Sequence, residues 1–291
     1  MKWNQWKTST SDWVELCKVG ICTMALCMAA AAYSLDSPGP IAWSPFGVAL
    51  LGIALLGAGS AIANHVMEWR WDALMNRTRH RPIPCGRVSR KQATLVSAAC
   101  IAVGLALLWK TNPVTFGLGV ATALSYLAIY TPLKRVSTLA PLAGAVPGAL
   151  PAALGSAAAT GHVGWHGFML FWIVFLWQIP HFLSLASMYA DDYTKAGFPI
   201  LPALYGWAAT GLQIFSYALA LVLVSMLPSV LGLTGNTYFI GTLVLGLVFV
   251  AMCWQFLRDG TLARARRVFF GSLFYLPLVA LLMLWDHVDH V

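Results

Sequence analysis

The feature that most constrains this chain is a succession of apolar segments, each about as long as a helix needs to cross a bilayer, roughly 17–25 residues. In windows of about 19 residues they fall near 17–34, 45–64, 93–109, 114–130, 139–158, 166–186, 206–226, 237–256 and 268–285. Backbone groups inside hydrocarbon must bond within their own segment, so segments of this length are read as helices. Of the 291 residues 59% are apolar and only 10% charged, against about 25% charged in a soluble domain, and a soluble globular fold is excluded. The expected architecture is all-α: a polytopic membrane protein with nine transmembrane helices around a central cavity. It forms one domain over 1–291, with its main loops on the charged side near 65–92 and 187–205.

The charges settle the expected orientation. A net charge of +8 in a soluble domain would suggest nucleic acid, but here placement matters more than the sum, and no nucleic-acid partner is expected. The N-terminus, the 65–92 loop, the 131–138 loop, the 187–205 loop and the 257–267 loop hold 16 of the 18 basic residues. By the positive-inside rule these segments are cytoplasmic, which predicts an N-in, C-out chain. Lys2 and Lys7 ahead of an apolar stretch also fit a signal peptide. Asp12, Glu15 and Lys18 lie where such a peptide turns apolar, so the first span is expected to stay. The lack of a long N-terminal targeting extension favours a bacterial inner membrane over an organelle. The six cysteines form no Cys-x-x-Cys pair and are expected to act as small apolar residues.

Ionisable residues in or beside a transmembrane helix are costly and default to functional candidates. At the end of the second span Asn64, Glu68 and Asp72 stand at i, i+4 and i+8, so one helix face presents three oxygen ligands. Such ligands suit a hard cation such as Mg²⁺, which takes one or two carboxylates together with phosphate oxygens and water. Arg77 and Arg81 follow, and guanidinium groups grip phosphate oxygens bidentately. An acidic face beside a basic one describes a site for Mg²⁺ and diphosphate, whereas ordinary loop charges would pair with one another. A second acidic pair, Asp191-Asp192, follows the sixth span. The even number of helices between the pairs returns both to one side, where they can face each other across the cavity, as in a parallel repeat. Lys134 and Arg135 add positive charge there, after Tyr126 and Tyr130, with Pro132 expected to end the helix.

The sixth span contains Gln178, Pro180 and His181, and Pro180 is expected to kink it. If that helix continued, His181 and Asp192 would share a face about 16 Å apart. His181 is then either a packing residue bonded to Gln178 or the residue that meets a wide aromatic substrate at depth. His162, His166, His287 and His290 are expected to be solvated loop and tail residues.

The run Asn64-x3-Glu68-x3-Asp72-x2-Met75-x-Arg77-Thr78-x2-Arg81-Pro82-x-Pro84-x-Gly86-Arg87 resembles the first signature of the UbiA-type intramembrane prenyltransferases, in the version found in the branch that prenylates heme. Tyr130-Thr131-Pro132-Leu133-Lys134-Arg135, Pro180-His181-Phe182 and Asp191-Asp192-Tyr193-x-x-Ala196-Gly197-x-Pro199-x-Leu201-Pro202 extend the resemblance over nearly the whole chain. Glu68 stands where many members have Asp, and Ala190 where a basic residue is frequent.

The resemblance implies transfer of a farnesyl group from farnesyl diphosphate to a vinyl group of heme b, with addition of water. It implies Mg²⁺ held by Asn64, Glu68, Asp72, Asp191 and Asp192, and diphosphate gripped by Arg77, Arg81, Lys134 and Arg135. Tyr126, Tyr130 and Tyr193 would line the substrate pocket, and His181 would contact heme. Terminal-oxidase assembly or a heme A synthase are the candidate recipients of the product. Two other readings remain open: a related prenyltransferase acting on a hydroxybenzoate or quinone precursor, and a transporter. The latter should carry polar residues at mid-membrane on broken helices, whereas here they gather at one boundary.

Overall fold

The computed structural model describes residues 9–288, so Lys2, Lys7, Asp289 and His290 lie outside the described residues. In chain order the elements are α1 Thr10–Leu16, α2 Val19–Asp36, α3 Trp43–Asp72, α4 Arg90–Thr111 and α5 Pro113–Leu124. A π-helical stretch Ser125–Tyr130 leads into α6 Thr131–Leu133. There follow α7 Ala140–Thr160, α8 Trp165–Met188, α9 Ala190–Lys195, α10 Leu201–Val230, α11 Asn236–Asp259 and α12 Leu262–Trp285. Among the described residues nine spans are long and apolar enough to cross a membrane, the fourth running from Pro113 through Leu133. The protein is a multi-pass, all-α membrane protein, as the hydropathy pattern predicts.

Two spans differ from that pattern in a way that bears on function. α3 does not stop where its apolar run ends; it continues to Asp72 over 30 residues, so its last two turns carry the polar face. α10 starts at Leu201 and bends at Gly206, whose φ of 74° and ψ of −178° no L side chain adopts easily. The expected start at residue 206 marks the bend and not the helix end. The fourth span stops at Leu133, one residue past Pro132 and just ahead of Lys134 and Arg135, as the proline predicts.

α7 is the most buried span, and its Ala- and Gly-rich sequence explains why. Lipid tails give helices little hydrophobic reason to associate, so small residues that let backbones approach closely supply the packing. Gly155 of α7 meets the backbone of Ala29 on α2, while Gly59 on α3 and Gly104 on α4 face the backbone of each other's helix. At the end away from the basic loops, Trp43–Phe46, Trp109–Phe116 and Trp165–Phe168 form edge-to-face pairs, an aromatic belt of the kind found at a membrane interface.

His166 corrects an expectation: it is buried, not solvated. Its Nδ1 lies 3.0 Å from Asp36 Oδ1. Asp36 also accepts the Gly167 N–H at 2.9 Å and the Ser156 hydroxyl at 2.5 Å. One carboxylate thereby joins the ends of α2, α7 and α8, and satisfies N–H groups that begin α8. His162 and His287 are exposed, as expected.

A Cβ on Gly155 would collide with the Ala29 carbonyl oxygen. Gly155→Ala is expected to destabilise the bundle by about 1–3 kcal/mol, read as a lower unfolding temperature in detergent, while Gly117→Ala, which meets open space, should leave it unchanged.

Candidate active site

The polar face of α3 is where the chain concentrates its buried charge. Asn64, Glu68 and Asp72 are 1%, 4% and 1% exposed, and each meets a cation brought by a different segment. Lys18, at the junction of α1 and α2, donates to Asn64 Oδ1 at 2.8 Å. Lys134, just after α6, reaches both Glu68 oxygens at 2.8 and 2.9 Å. Arg81, in the loop after α3, reaches both Asp72 oxygens at 2.8 Å. The longer arm of Glu68 is thus met by a long, flexible lysine.

Local structure explains how these partners arrive. The Thr78 hydroxyl, fully buried, donates to the Asp72 carbonyl at 2.8 Å. It satisfies an end carbonyl of α3 and folds the following loop back so that Arg81 faces Asp72. On the fourth span the π-helical turn places Thr131 Oγ1 2.9 Å from the Tyr126 carbonyl. Thr131 in turn accepts from Asn64 Nδ2 at 3.1 Å, which leaves the Asn64 oxygen turned to Lys18. Tyr126 and Tyr130 stack at 5.5 Å, and the Lys134 ammonium lies 5.2 Å over the Tyr130 ring. π-turns of this sort occur often at functional sites.

The second acidic segment approaches the same loop but does not merge with the first. Asp192 accepts from the Arg77 N–H at 3.0 Å and from Asn76 Nδ2 at 3.1 Å, so it holds the turn that follows Asp72. Asp191 is exposed and lines a cleft of ≈370 Å³ with Asn76, Tyr189, Asp192, Lys195 and Leu262. Among the described residues no three His, Cys, Asp or Glu side chains are gathered as a ready-made metal centre. Asp192 is thus brought to the turn directly after the α3 acids, through Asn76 and the Arg77 N–H rather than through the ion pairs of α3.

Other expected residues divide in the same way. The Arg77 guanidinium lies over Tyr189 at 5.3 Å and Tyr193 at 6.0 Å, beside the second acidic segment. Arg135 is not brought to the site: it stacks on Trp71 at 3.6 Å and donates to the Met67 carbonyl at 3.1 Å, on a different face of α3. Tyr130, Lys134, Phe182, Tyr193, Phe198 and Leu201 line a small, mainly apolar cavity of ≈80 Å³. His181 is sandwiched between Trp177 at 4.8 Å and Phe269 at 4.7 Å and bonded to Ser272 at 2.8 Å. Gln178 is not its partner; that amide donates to the Ala145 and Val174 carbonyls. The helix also breaks at Tyr189, with φ −122° and ψ 27°, so the common face expected for His181 and Asp192 does not exist.

Two residues of this region went unrecognised in the sequence. Lys18 is one, and its ammonium also donates to the Tyr126 hydroxyl at 3.3 Å. Burial, and then repulsion from Lys134, push that ammonium down to about 8, against the pull of Glu68. His65 is the other. It is 1% exposed, with Nδ1 3.7 Å from Asp72 Oδ2 and neither ring nitrogen hydrogen-bonded. His65 lies inside the motif but off its i, i+4 spacing, and Lys18 lies 46 residues ahead of Asn64, so no spacing signal pointed to either.

With this geometry in hand, comparison with known proteins decides the family. Residues 24–278 match the model of the UbiA prenyltransferase family. This chain belongs to that family. A Solibacter usitatus protein named protoheme IX farnesyltransferase is 38% identical over 286 residues, covering 94% of this chain and 98% of its own length. A Salinibacter ruber protein of the same name is 41% identical over 281 residues, covering 94% and 97%. Among solved structures, one described as digeranylgeranylglyceryl phosphate synthase superposes with a TM-score of 0.81 at 19% identity, covering 95% of this chain and 97% of the other. A UbiA homologue of Archaeoglobus fulgidus bound to GPP and Mg²⁺ gives 0.64 at 17% identity, covering 94% and 99%. At such identities the structural likeness establishes the UbiA fold and no more.

Arg81→Met would leave Asp72 buried without its cation, which is expected to cost roughly 3–5 kcal/mol. Thermal unfolding of the single variant and of Arg81→Met with Asp72→Asn checks this, and the double variant should recover most of the loss.

Proposed function

We propose that this UbiA prenyltransferase transfers a farnesyl group from farnesyl diphosphate to a vinyl group of heme b, with addition of water and release of diphosphate, giving heme O. The substrate assignment is carried by the curated relatives named protoheme IX farnesyltransferase, similar over nearly their whole length. The chemistry is carried by the α3 face, where three buried oxygen donors meet three cations.

Breaking the C1–O bond of an allylic diphosphate leaves its electron pair on the departing diphosphate and a delocalised cation on the prenyl carbon. Groups that stabilise the anion as it leaves lower the barrier. Arg81 and Lys134 supply that stabilisation, with Arg77 at the second acidic segment. Both carry positive charge into a low-dielectric site, where it acts more strongly than in water. Tyr126 and Tyr130 present stacked rings beside Lys134, and ring faces are suited to a carbocation. The vinyl group attacks C1, water then adds to the carbon left electron-poor, and the proton from that water is lost. The apolar lining provided by Phe182, Phe198 and Leu201 keeps other water from quenching the first cation.

The donor set, carboxylate and carboxamide oxygens on one helix face, fits a hard divalent cation whose shell phosphate oxygens would complete. Support for a divalent metal comes from the A. fulgidus homologue, described in complexes with GPP and Mg²⁺ and with Cd²⁺. We assign Mg²⁺, held by Asn64, Glu68 and Asp72 with Asp191 or Asp192, where it would withdraw charge from the diphosphate. The carboxylates now engaged by Lys134 and Arg81 would exchange these partners for the metal, freeing both cations for phosphate.

His181, on the face of α8 packed against α12 and flanked by Trp177 and Phe269, is assigned to heme contact, since flat aromatic side chains suit a macrocycle. We assign this end of the bundle to the cytoplasm, an orientation its basic loops favour, and the chain to a bacterial inner membrane. Terminal-oxidase assembly or a heme A synthase would take the product.

Mixing the membrane-embedded protein with farnesyl diphosphate, heme b and Mg²⁺ should release diphosphate and yield heme O. Asp72→Asn should abolish both while insertion and heme binding persist; full activity in that variant would remove the metal assignment. His181→Ala should weaken heme affinity and leave diphosphate affinity unaltered, as followed by heme absorbance titration, and an unchanged titration would discard the contact.

A further inference from the structure

Lys18 is the one non-glycine residue among those described with a positive φ, 49°. A side chain in the left-handed region is unfavourable, and such conformations persist where the surrounding structure imposes them, commonly at functional sites. Here the conformation makes the corner between α1 and α2 and turns the Lys18 side chain inward. Among the described residues its ammonium is hydrogen-bonded only to neutral partners, Asn64 at 2.8 Å and Tyr126 at 3.3 Å. The other two cations of the α3 face each have a carboxylate. Lys18, Arg81 and Lys134 against Glu68 and Asp72 therefore leave this face with one positive charge in excess.

An uncompensated buried cation is costly, and its natural complement is an anion supplied by the ligand. An allylic diphosphate carrying one Mg²⁺ has a single net negative charge, which matches the excess. The segment that holds Lys18 is itself tied down. Asp12 is 5% exposed, and Arg87 donates to it at 2.7 Å from the far end of the loop that carries Arg81. The Arg87 guanidinium holds the Asp12 carboxyl below its usual range. Leu16, fully buried, packs with Ile62, Ile83 and Val88 beneath that loop. The 9–18 segment and the 73–89 loop are thus held to one another, and each delivers one cation to α3.

Resting on the prenyltransferase reading, we propose that Lys18 is a further ligand of the substrate diphosphate, and that residues 9–18 form a strap whose Asp12–Arg87 ion pair positions it. Lys18 contacts the ligand; Asp12 and Arg87 act through Lys18 and are positioning residues. The strap also explains why an acidic and basic segment stands directly ahead of the first span. It is the part of the site that lies before the signature motif.

The test uses the full chain in lipid nanodiscs, titrated calorimetrically with inorganic diphosphate in the presence of Mg²⁺, and separately with heme b. Lys18→Met should weaken diphosphate binding roughly ten- to hundredfold with heme binding intact, and Lys18→Arg should restore most of the loss. Asp12→Asn should raise KM for farnesyl diphosphate about two- to fivefold, leave KM for heme unchanged, and add nothing further in the Lys18→Met background. Diphosphate binding by Lys18→Met equal to that of wild type would overturn the ligand role. A full additional loss from Asp12→Asn in that background would overturn the strap. Wild-type protein that binds diphosphate but transfers no farnesyl group to heme would fault the acceptor assignment and leave the Lys18 comparison standing.

Discussion

Three oxygen donors at the end of α3 face three cations from three other segments, and the polar end of the molecule is organised by that meeting. Charges in a low-dielectric environment are tolerated only when paired and hydrogen-bonded. Asn64, Glu68 and Asp72 therefore require Lys18, Lys134 and Arg81 to be where they are. The loop after α3, the π-turn of the fourth span and the N-terminal strap are shaped by the need to deliver them. Thr78, Thr131 and Asn76 are the smaller fastenings of the same arrangement.

The same pairing explains how one site can be stable in the absence of ligand and still bind a charged substrate. In the proposed reaction each carboxylate now answered by a cation would become a ligand for the metal, and each of those cations a grip for phosphate. A metal-bound diphosphate would offer both partners at once, so the groups would exchange counter-charges without any being left bare. Exchange of this kind asks little of the helices and much of the connecting segments, which is where the cations sit. Asp192, bonded to the Arg77 N–H, is placed to feel any shift of the loop that follows Asp72.

At the opposite end Asp36 performs a purely structural version of the same task. It joins Ser156, His166 and the start of α8, and among the described residues His166 is the basic side chain paired with it. Burial of a carboxylate alone does not mark a catalytic centre. What distinguishes the α3 face is its surplus of positive charge beside an apolar cavity and a run of tyrosines.

Sequence alone determined the nine spans and the side on which charge collects, because both are properties of periodicity, length and residue type along the chain, while the reaction class came from the resemblance of its motifs to those of the UbiA-type prenyltransferases. It also determined the face of α3, since i, i+4 spacing on a helix is a local rule. Tertiary structure decided which cation answers which oxygen, and the surprises all lie there. Lys18 enters the site through a left-handed corner that no spacing reveals, Arg135 leaves it to stack on Trp71, and His181 finds Ser272 on a helix far along the chain. Tyr189 breaks the register expected between His181 and Asp192. Such choices depend on distances between segments remote in sequence, and only the packed bundle sets those.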